Sequence, residues 1–347
     1  MTINYKTHRR YSIDNFNKHN TYGGRKAHYT MDYNTYNTSS LYINNPVAYR
    51  CIQILSHSIS SIKWEVMNGN VKLTSHPLVD LLQKPNGYDS WNTLIQKIVI
   101  HMLVFGNAYV YRPHPTLIKD ICVLHPEKVR IVTDENDNIK KYEYCANRGR
   151  NISINNPINV LHLRYFNITN ELQGTSLLHV AKKAIMHHEA MSDHNISILK
   201  NGGRPSGCLI VRTKYGLTNE QRINLRASIK ELYEGPTNAG RIFVAEGDFE
   251  WKEIGFAPKD MDFTNGKILA AREIAMVFGV PFPMLGLHDA TYANYQEARE
   301  HFWQDTILPY LTYIIAEFNK WLVCDIRDTY YTYSNDSLSK LKGANHE

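Results

Sequence analysis

No run in this 347-residue sequence is long and apolar enough to cross a bilayer. The most apolar stretch, 95–111, is broken by Lys97 and His101. The N-terminus has no apolar h-region, so no secretory leader is expected and a soluble chain is. Cysteine is sparse. Cys51, Cys122, Cys145, Cys208 and Cys324 form an odd set without a C-x-x-C pair. That excludes a disulfide framework and points to a reduced, intracellular setting. Acids are scarce at the start: before residue 50 only Asp14 and Asp32 face Lys6, Arg9, Arg10, Lys18, Arg25 and Lys26. Residues 1–44, also poor in aliphatics, read as a flexible basic arm. No internal repeat or low-complexity tract is present.

What is there suffices for a sizeable core. Hydrophobic residues make up 43% and charged residues 21%, which excludes global disorder. The formal net charge of +6 permits a nucleic-acid partner without requiring one.

Helix and strand periods then divide the chain. Asn45-Pro46 is a helix start, an N-cap followed by Pro at N1, and Ala48, Cys51, Ile52, Leu55 and Ile59 recur at helical spacing. Residues 62–66 alternate as a strand, and Pro85-Asn86-Gly87 is a turn. Ser90 caps a helix with Trp91, Leu94, Ile95, Ile98, Val99, Met102 and Leu103 on one face. Short β-type runs follow at 108–111, 121–124, 129–133, 139–144 and 160–165, which predicts a meander-like sheet in an α+β region. A long helix is expected over 177–199, stopped by Asn201-Gly202-Gly203 and Pro205.

A compact module comes next: strands at 207–211, 241–245 and 249–254 around a helix opened by the capping box Thr218-Asn219-Glu220-Gln221. A helix over 263–278 ends at Gly279 and Pro281. A Pro- and Gly-rich loop, 280–290, leads into a long helix over 292–323, and Pro309 predicts a kink inside it. The tail from Asp336 onward is polar.

Motifs with chemistry are near misses. A zinc-protease helix needs H-E-x-x-H, but His188-Glu189 has Ser192 where the second His should stand. His187 and His194 share a face two turns apart, roughly 10.5 Å by helical rise, too far to hold one ion. Asn201-Gly202-Gly203-Arg204-Pro205-Ser206-Gly207 lacks the G-K-[ST] ending of a phosphate loop and follows a helix instead of a strand. No G-x-S-x-G elbow and no dinucleotide fingerprint is present. Neither a catalytic constellation nor a cofactor or metal site is expected. Arg204, Arg212, Lys214, Arg222, Arg226 and Lys230 give the compact module a basic face, either an ordinary solvated one or one for phosphates or an acidic partner.

One stretch goes further. Ala271-Arg272-Glu273-Ile274-Ala275 leads to Val277-Phe278-Gly279-Val280-Pro281, Met284-Leu285-Gly286, Thr291-Tyr292-Ala293-Asn294-Tyr295-Gln296-Glu297-Ala298 and Phe302-Trp303-Gln304-Asp305-Thr306-Ile307-Leu308-Pro309. Upstream stand Asn45-Pro46-Val47-Ala48-Tyr49-Arg50-Cys51-Ile52, His76-Pro77-Leu78, Pro85-Asn86, Gly106-Asn107-Ala108-Tyr109-Val110, Gln173-Gly174-Thr175-Ser176-Leu177-Leu178 and the 201–207 run. In this order the series resembles the phage portal proteins of the HK97-like family.

The resemblance implies a non-enzymatic, dodecameric ring at one capsid vertex of the virion, assembled in the host bacterial cytoplasm, with DNA packaged and ejected through it. It implies a portal-like α+β fold: a wing at 45–175, stem helices at 176–202 and 259–279 flanking a clip at 203–258, a tunnel loop at 280–291 and a long kinked helix at 292–323. Phe282, Met284, Leu287, His288 and Asp289 would face DNA; alternatively the apolar ones pack in the core. Arg212, Lys214, Arg222, Arg226 and Lys230 of the clip would face terminase and adaptor. Implied partners are further copies of the chain, double-stranded DNA without sequence specificity, terminase large subunit, head–tail adaptor and major capsid protein, with no membrane. Such portals usually continue into a helical crown. About two dozen residues, 324–347, follow Val323 here, so a reduced or absent crown is expected. Two other readings stay open: a metal-dependent hydrolase using His187, His188, Glu189 and His194, and a nucleic-acid-binding module using the basic arm.

Overall fold

The computed structural model describes residues 28–29, 38–114, 119–146, 151–200, 207–212, 216–233, 248–253, 263–286, 291–323 and 328–334. In chain order these form β1 (His28–Tyr29), α1 (Thr38–Asn44), α2 (Pro46–Ser60), β2 (Trp64–Asn68), β3 (Val71–Lys72), α3 (Pro77–Gln83), α4 (Trp91–Phe105), β4 (Asn107–Tyr111), β5 (Cys122–Leu124), β6 (Val129–Thr133), β7 (Ile139–Cys145), β8 (Asn151–Ile154) and β9 (Val160–Arg164). Then come α5 (Leu177–Val180), α6 (Lys182–Lys200), β10 (Gly207–Val211), α7 (Asn219–Tyr233), β11 (Phe249–Glu253), α8 (Phe263–Val277), α9 (Tyr292–His301), α10 (Leu308–Leu322) and β12 (Thr329–Tyr333).

Capping chemistry sets several boundaries. The Asn45 side chain accepts from the N–H groups of Val47 and Ala48 and opens α2. Ser90 opens α4 by accepting from Thr93, and Gly106 ends it in the left-handed conformation, φ 75°. The capping box forms as expected: Gln221 N–H donates to Thr218 Oγ1 and Thr218 N–H to Gln221 Oε1.

The β-type runs do not make one meander. Antiparallel β4 lies between β5 and β9 in one sheet, while β6, β7 and β8 meander in another, with β1 on the β6 edge. Tyr109, Leu124, Ile131, Tyr142, Ile154 and Val160 fill a small core shared by both sheets. The arm reading covers 1–44; within it, His28–Tyr29 pair with β6 and Thr38–Asn44 form α1, which buries Leu41.

A third sheet has the order β12-β2-β3. Tyr331 of β12 stands opposite Val66, and its ring joins Trp64, Trp91 and Phe318, with Trp64–Trp91 centroids 5.1 Å apart and Trp64–Phe318 5.4 Å. Edge-on aromatic packing of this kind adds to simple burial. The main core draws on α2, α4, α8 and α10, with Ile52, Leu94, Ile274 and Phe318 fully buried.

Two helical spans are interrupted, the first where a single rod is expected and the second close to the place where Pro309 predicts a kink. The 177–199 span breaks at Ala181 into α5 and α6. The 292–323 span is interrupted by a π-helical turn, Phe302–Ile307, which puts Pro309 in the first turn of α10. The backbone stays helical through Ile307 and Leu308, and the wider π-helical ladder ahead of Pro309 accommodates a residue without an N–H. The strand expected at 241–245 lies outside the described residues.

Candidate functional site

The loop between α8 and α9 is held at both ends. Gly279 closes α8 with φ 65°, and a Cβ there would lie 2.9 Å from Thr306 Oγ1. Thr306 Oγ1 donates to the Gly279 carbonyl at 2.8 Å. At the far end, Thr291 caps α9 by accepting from Asn294 N–H. A 3₁₀ turn, Phe282–Leu285, follows Pro281 and ends at Gly286, φ 68°. Phe282 and Met284 are partly buried and pack against the main core, and the Arg272 guanidinium covers the Phe282 ring at 5.0 Å. Leu287, His288 and Asp289 lie outside the described residues.

In the compact module β10 and β11 pair antiparallel, Leu209 opposite Trp251. Arg212 pairs with Glu250, so its charge is partly neutralised. Arg222 and Arg226 are exposed one helical turn apart on α7. Lys214 and the side chain of Lys230 lie outside the described part.

The histidine-rich helix does not gather its groups. His187 and His194 are exposed, while His188 is buried with Nδ1 3.4 Å from the Asn45 amide nitrogen. Burial holds the His188 pKa below the ordinary histidine value. Burial, with nearby Asp193, raises that of Glu189. Among the described residues, no group of three or more His, Cys, Asp or Glu is placed to hold a metal ion, and no helix is long and apolar enough to cross a membrane.

Sequence motifs far apart in the chain meet at a buried polar junction. Asn107 Oδ1 accepts from Gly174 N–H at 2.8 Å and lies 3.0 Å from His162 Nε2, while its amide donates to Phe105 O. Ser176 caps α5 and its hydroxyl donates to the Val104 carbonyl. The two glycines touch: a Cβ on Gly174 would come 2.0 Å from Gly106 O. The 106–110 and 173–178 motifs therefore form one joint, where the β4 sheet meets the first helix of the α5–α6 pair. Both motifs stand out in the sequence, but their contact does not, because Gly106 and Gly174 are distant along the chain and close only in space.

The family described as phage portal protein matches residues 46–344, from α2 past β12. The chain belongs to the phage portal protein family. A protein of Rickettsia bellii (strain RML369-C) is 36% identical over 310 residues, 86% of this chain and 80% of its own length. The portal protein of Enterobacteria phage HK97 is 25% identical over 285 residues, 79% of this chain and 66% of its own length. A chain in the neck of a native gene transfer agent particle computed with C12 symmetry superposes with TM-score 0.67 and 29% identity, covering 91% of this chain and 88% of that one. The α+β architecture is thus a portal fold, and the chain is a portal protein of a phage or phage-derived particle.

Proposed function

We propose that copies of this chain form a ring around a channel at one capsid vertex, through which double-stranded DNA passes without sequence readout. The supporting observation is extent: one portal match spans 46–344, and a 29% identical chain sits in a neck computed with C12 symmetry. In this reading the α5–α6 pair and α8 are the stem, and the β10–α7–β11 module is the clip. The loop from Phe282 to Asp289 faces the channel, with Leu287, His288 and Asp289 nearest DNA, since Phe282 and Met284 begin on the core. Arg222 and Arg226, exposed on α7, offer positive charge to terminase or adaptor. The role is structural rather than enzymatic.

Negative-stain imaging of the purified full chain, with its mass in solution, tests this. Rings with a central channel are expected, twelve copies to a ring by analogy with the neck symmetry. A strictly monomeric chain at every salt and protein concentration would overturn the ring reading.

A further inference from the structure

Four Asn-Gly pairs occur in the chain: Asn68-Gly69, Asn86-Gly87, Asn201-Gly202 and Asn265-Gly266. In such a pair the backbone nitrogen of the glycine can attack the side-chain amide before it, because no Cβ hinders the approach. Asn201-Gly202 lies outside the described residues. Asn265-Gly266 stands inside α8, where the helix fixes the backbone angles. Asn86 is held largely by its own turn: its Oδ1 accepts from the N–H groups of Tyr88 and Asp89, and its amide donates to the Ile121 carbonyl at 2.9 Å.

Asn68-Gly69 is held differently. It forms the exposed turn between β2 and β3, with Gly69 at φ 54°, and a Cβ on Gly69 would meet nothing within 4 Å. Its restraints come from one segment far along the chain, the start of β12. Gly69 N–H donates to the Asp328 carbonyl at 2.8 Å. The Asn68 side-chain amide donates to Thr329 Oγ1 at 3.0 Å. The Tyr330 hydroxyl donates to the Gly69 carbonyl at 3.1 Å. The first bond occupies the nitrogen that would attack, the second the amide group that would leave, and the third anchors the peptide that follows. Asn68 also stands opposite Thr329 in the ladder. Closing a ring at Asn68 needs a backbone rotation that breaks this pairing.

We infer that Asn68-Gly69 is a deamidation site that β12 keeps closed, and that it reacts when residues 328–330 lift away. The Gly69 nitrogen then gives up its proton and bonds to Asn68 Cγ. The bond from Cγ to Nδ2 breaks, ammonia leaves, and a five-membered imide forms. Water adds across either imide carbonyl and opens the ring to aspartate or isoaspartate. The net change consumes one water and releases one ammonia, with no change of oxidation state. Both residues are exposed, so solvent supplies that water. In isoaspartate the main chain runs through the former side chain and is one methylene longer. The Gly69 N–H then no longer meets the Asp328 carbonyl in register, so the conversion makes a transient release of β12 permanent.

The test incubates the full wild-type chain, folded and in urea, in mildly alkaline buffer and follows the peptide that contains Asn68 by mass spectrometry, with isoaspartate-specific methylation as a second readout. Thr329→Val and Tyr330→Phe each remove one restraint with little change of shape, and circular-dichroism melts monitor their fold. Conversion in the folded wild type is expected to be at least tenfold slower than in urea. T329V and Y330F are expected to convert several times faster than wild type with melts nearly unchanged. Asn68→Gln, which closes a five-membered ring no longer, is expected to abolish the product. Equal rates in the folded and urea-treated wild type would overturn the inference. So would T329V and Y330F chains that keep their fold and convert no faster than wild type, or a product that persists in N68Q and so belongs to Asn70.

Discussion

Some of the closest packing in the molecule lies where two glycines meet. Because a Gly174 Cβ would sit 2.0 Å from the Gly106 carbonyl, Gly174→Ala must push the β4 sheet away from the start of α5. A loss of about 3 kcal/mol is expected in chemical denaturation, at the upper end for overpacking. Two histidines set a pH limit. Burial, helped by His125 and Lys97, holds His101 at about 3, and burial with Arg164 holds His162 at about 3. Both are neutral in the folded chain. Their contribution is complete above the unfolded histidine value of about 6.5 and is lost as pH falls from there toward 3, because only the unfolded state takes up the protons. Each should cost about 1.4 kcal/mol per pH unit in that window. Denaturant midpoints from pH 7 to pH 4 would fall accordingly, and the fall would be shallower in a folded His101→Phe variant.

Among the elements, β12 carries more than its five residues suggest. Tyr331 is 1% exposed, packed on Trp64 and Trp91 and bound through its backbone to Asn319 of α10. Tyr331→Ala is expected to cost about 3–5 kcal/mol, read as a shift in thermal midpoint together with a changed tryptophan fluorescence spectrum. The sequence did not reveal this strand: Thr-Tyr-Tyr-Thr-Tyr favours β structure, but its partner β2 lies more than two hundred residues earlier, and no local pattern reports such a pairing. The same limit hid the division of the β-type runs into two sheets, since β4 pairs with β9 across the whole meander. Locally determined features were legible: the Asn45, Ser90 and Thr218 caps, the Gly279 stop and the apolar face of α4. Pro309 marked the irregular place in the long helix, but not that a π-helical turn would absorb it. Of the residues assigned to the clip and tunnel loop, spacing could give candidates but not contacts. Nothing in sequence alone announces the Arg212–Glu250 pair or the packing of Phe282 on the core.

At the scale of the whole molecule, assembly and stability are coupled. A subunit that joins a ring is stabilised by mass action, so its apparent stability should rise with protein concentration. Thermal midpoints measured over a hundredfold concentration range should increase where rings form and stay flat where they do not. The ordered series of portal motifs was readable because it is linear.

The return of β12 to β2 also orders the birth of the molecule. A ribosome emits Trp64 and Trp91 more than two hundred residues before the strand that completes their cluster. Until then an aromatic surface and the edge of β2 stand uncovered, the features that make nascent chains stick. A polypeptide cut short before Thr329 would keep that surface open. Translation therefore makes this cluster wait: a subunit can close it only after more than two hundred further residues have been made.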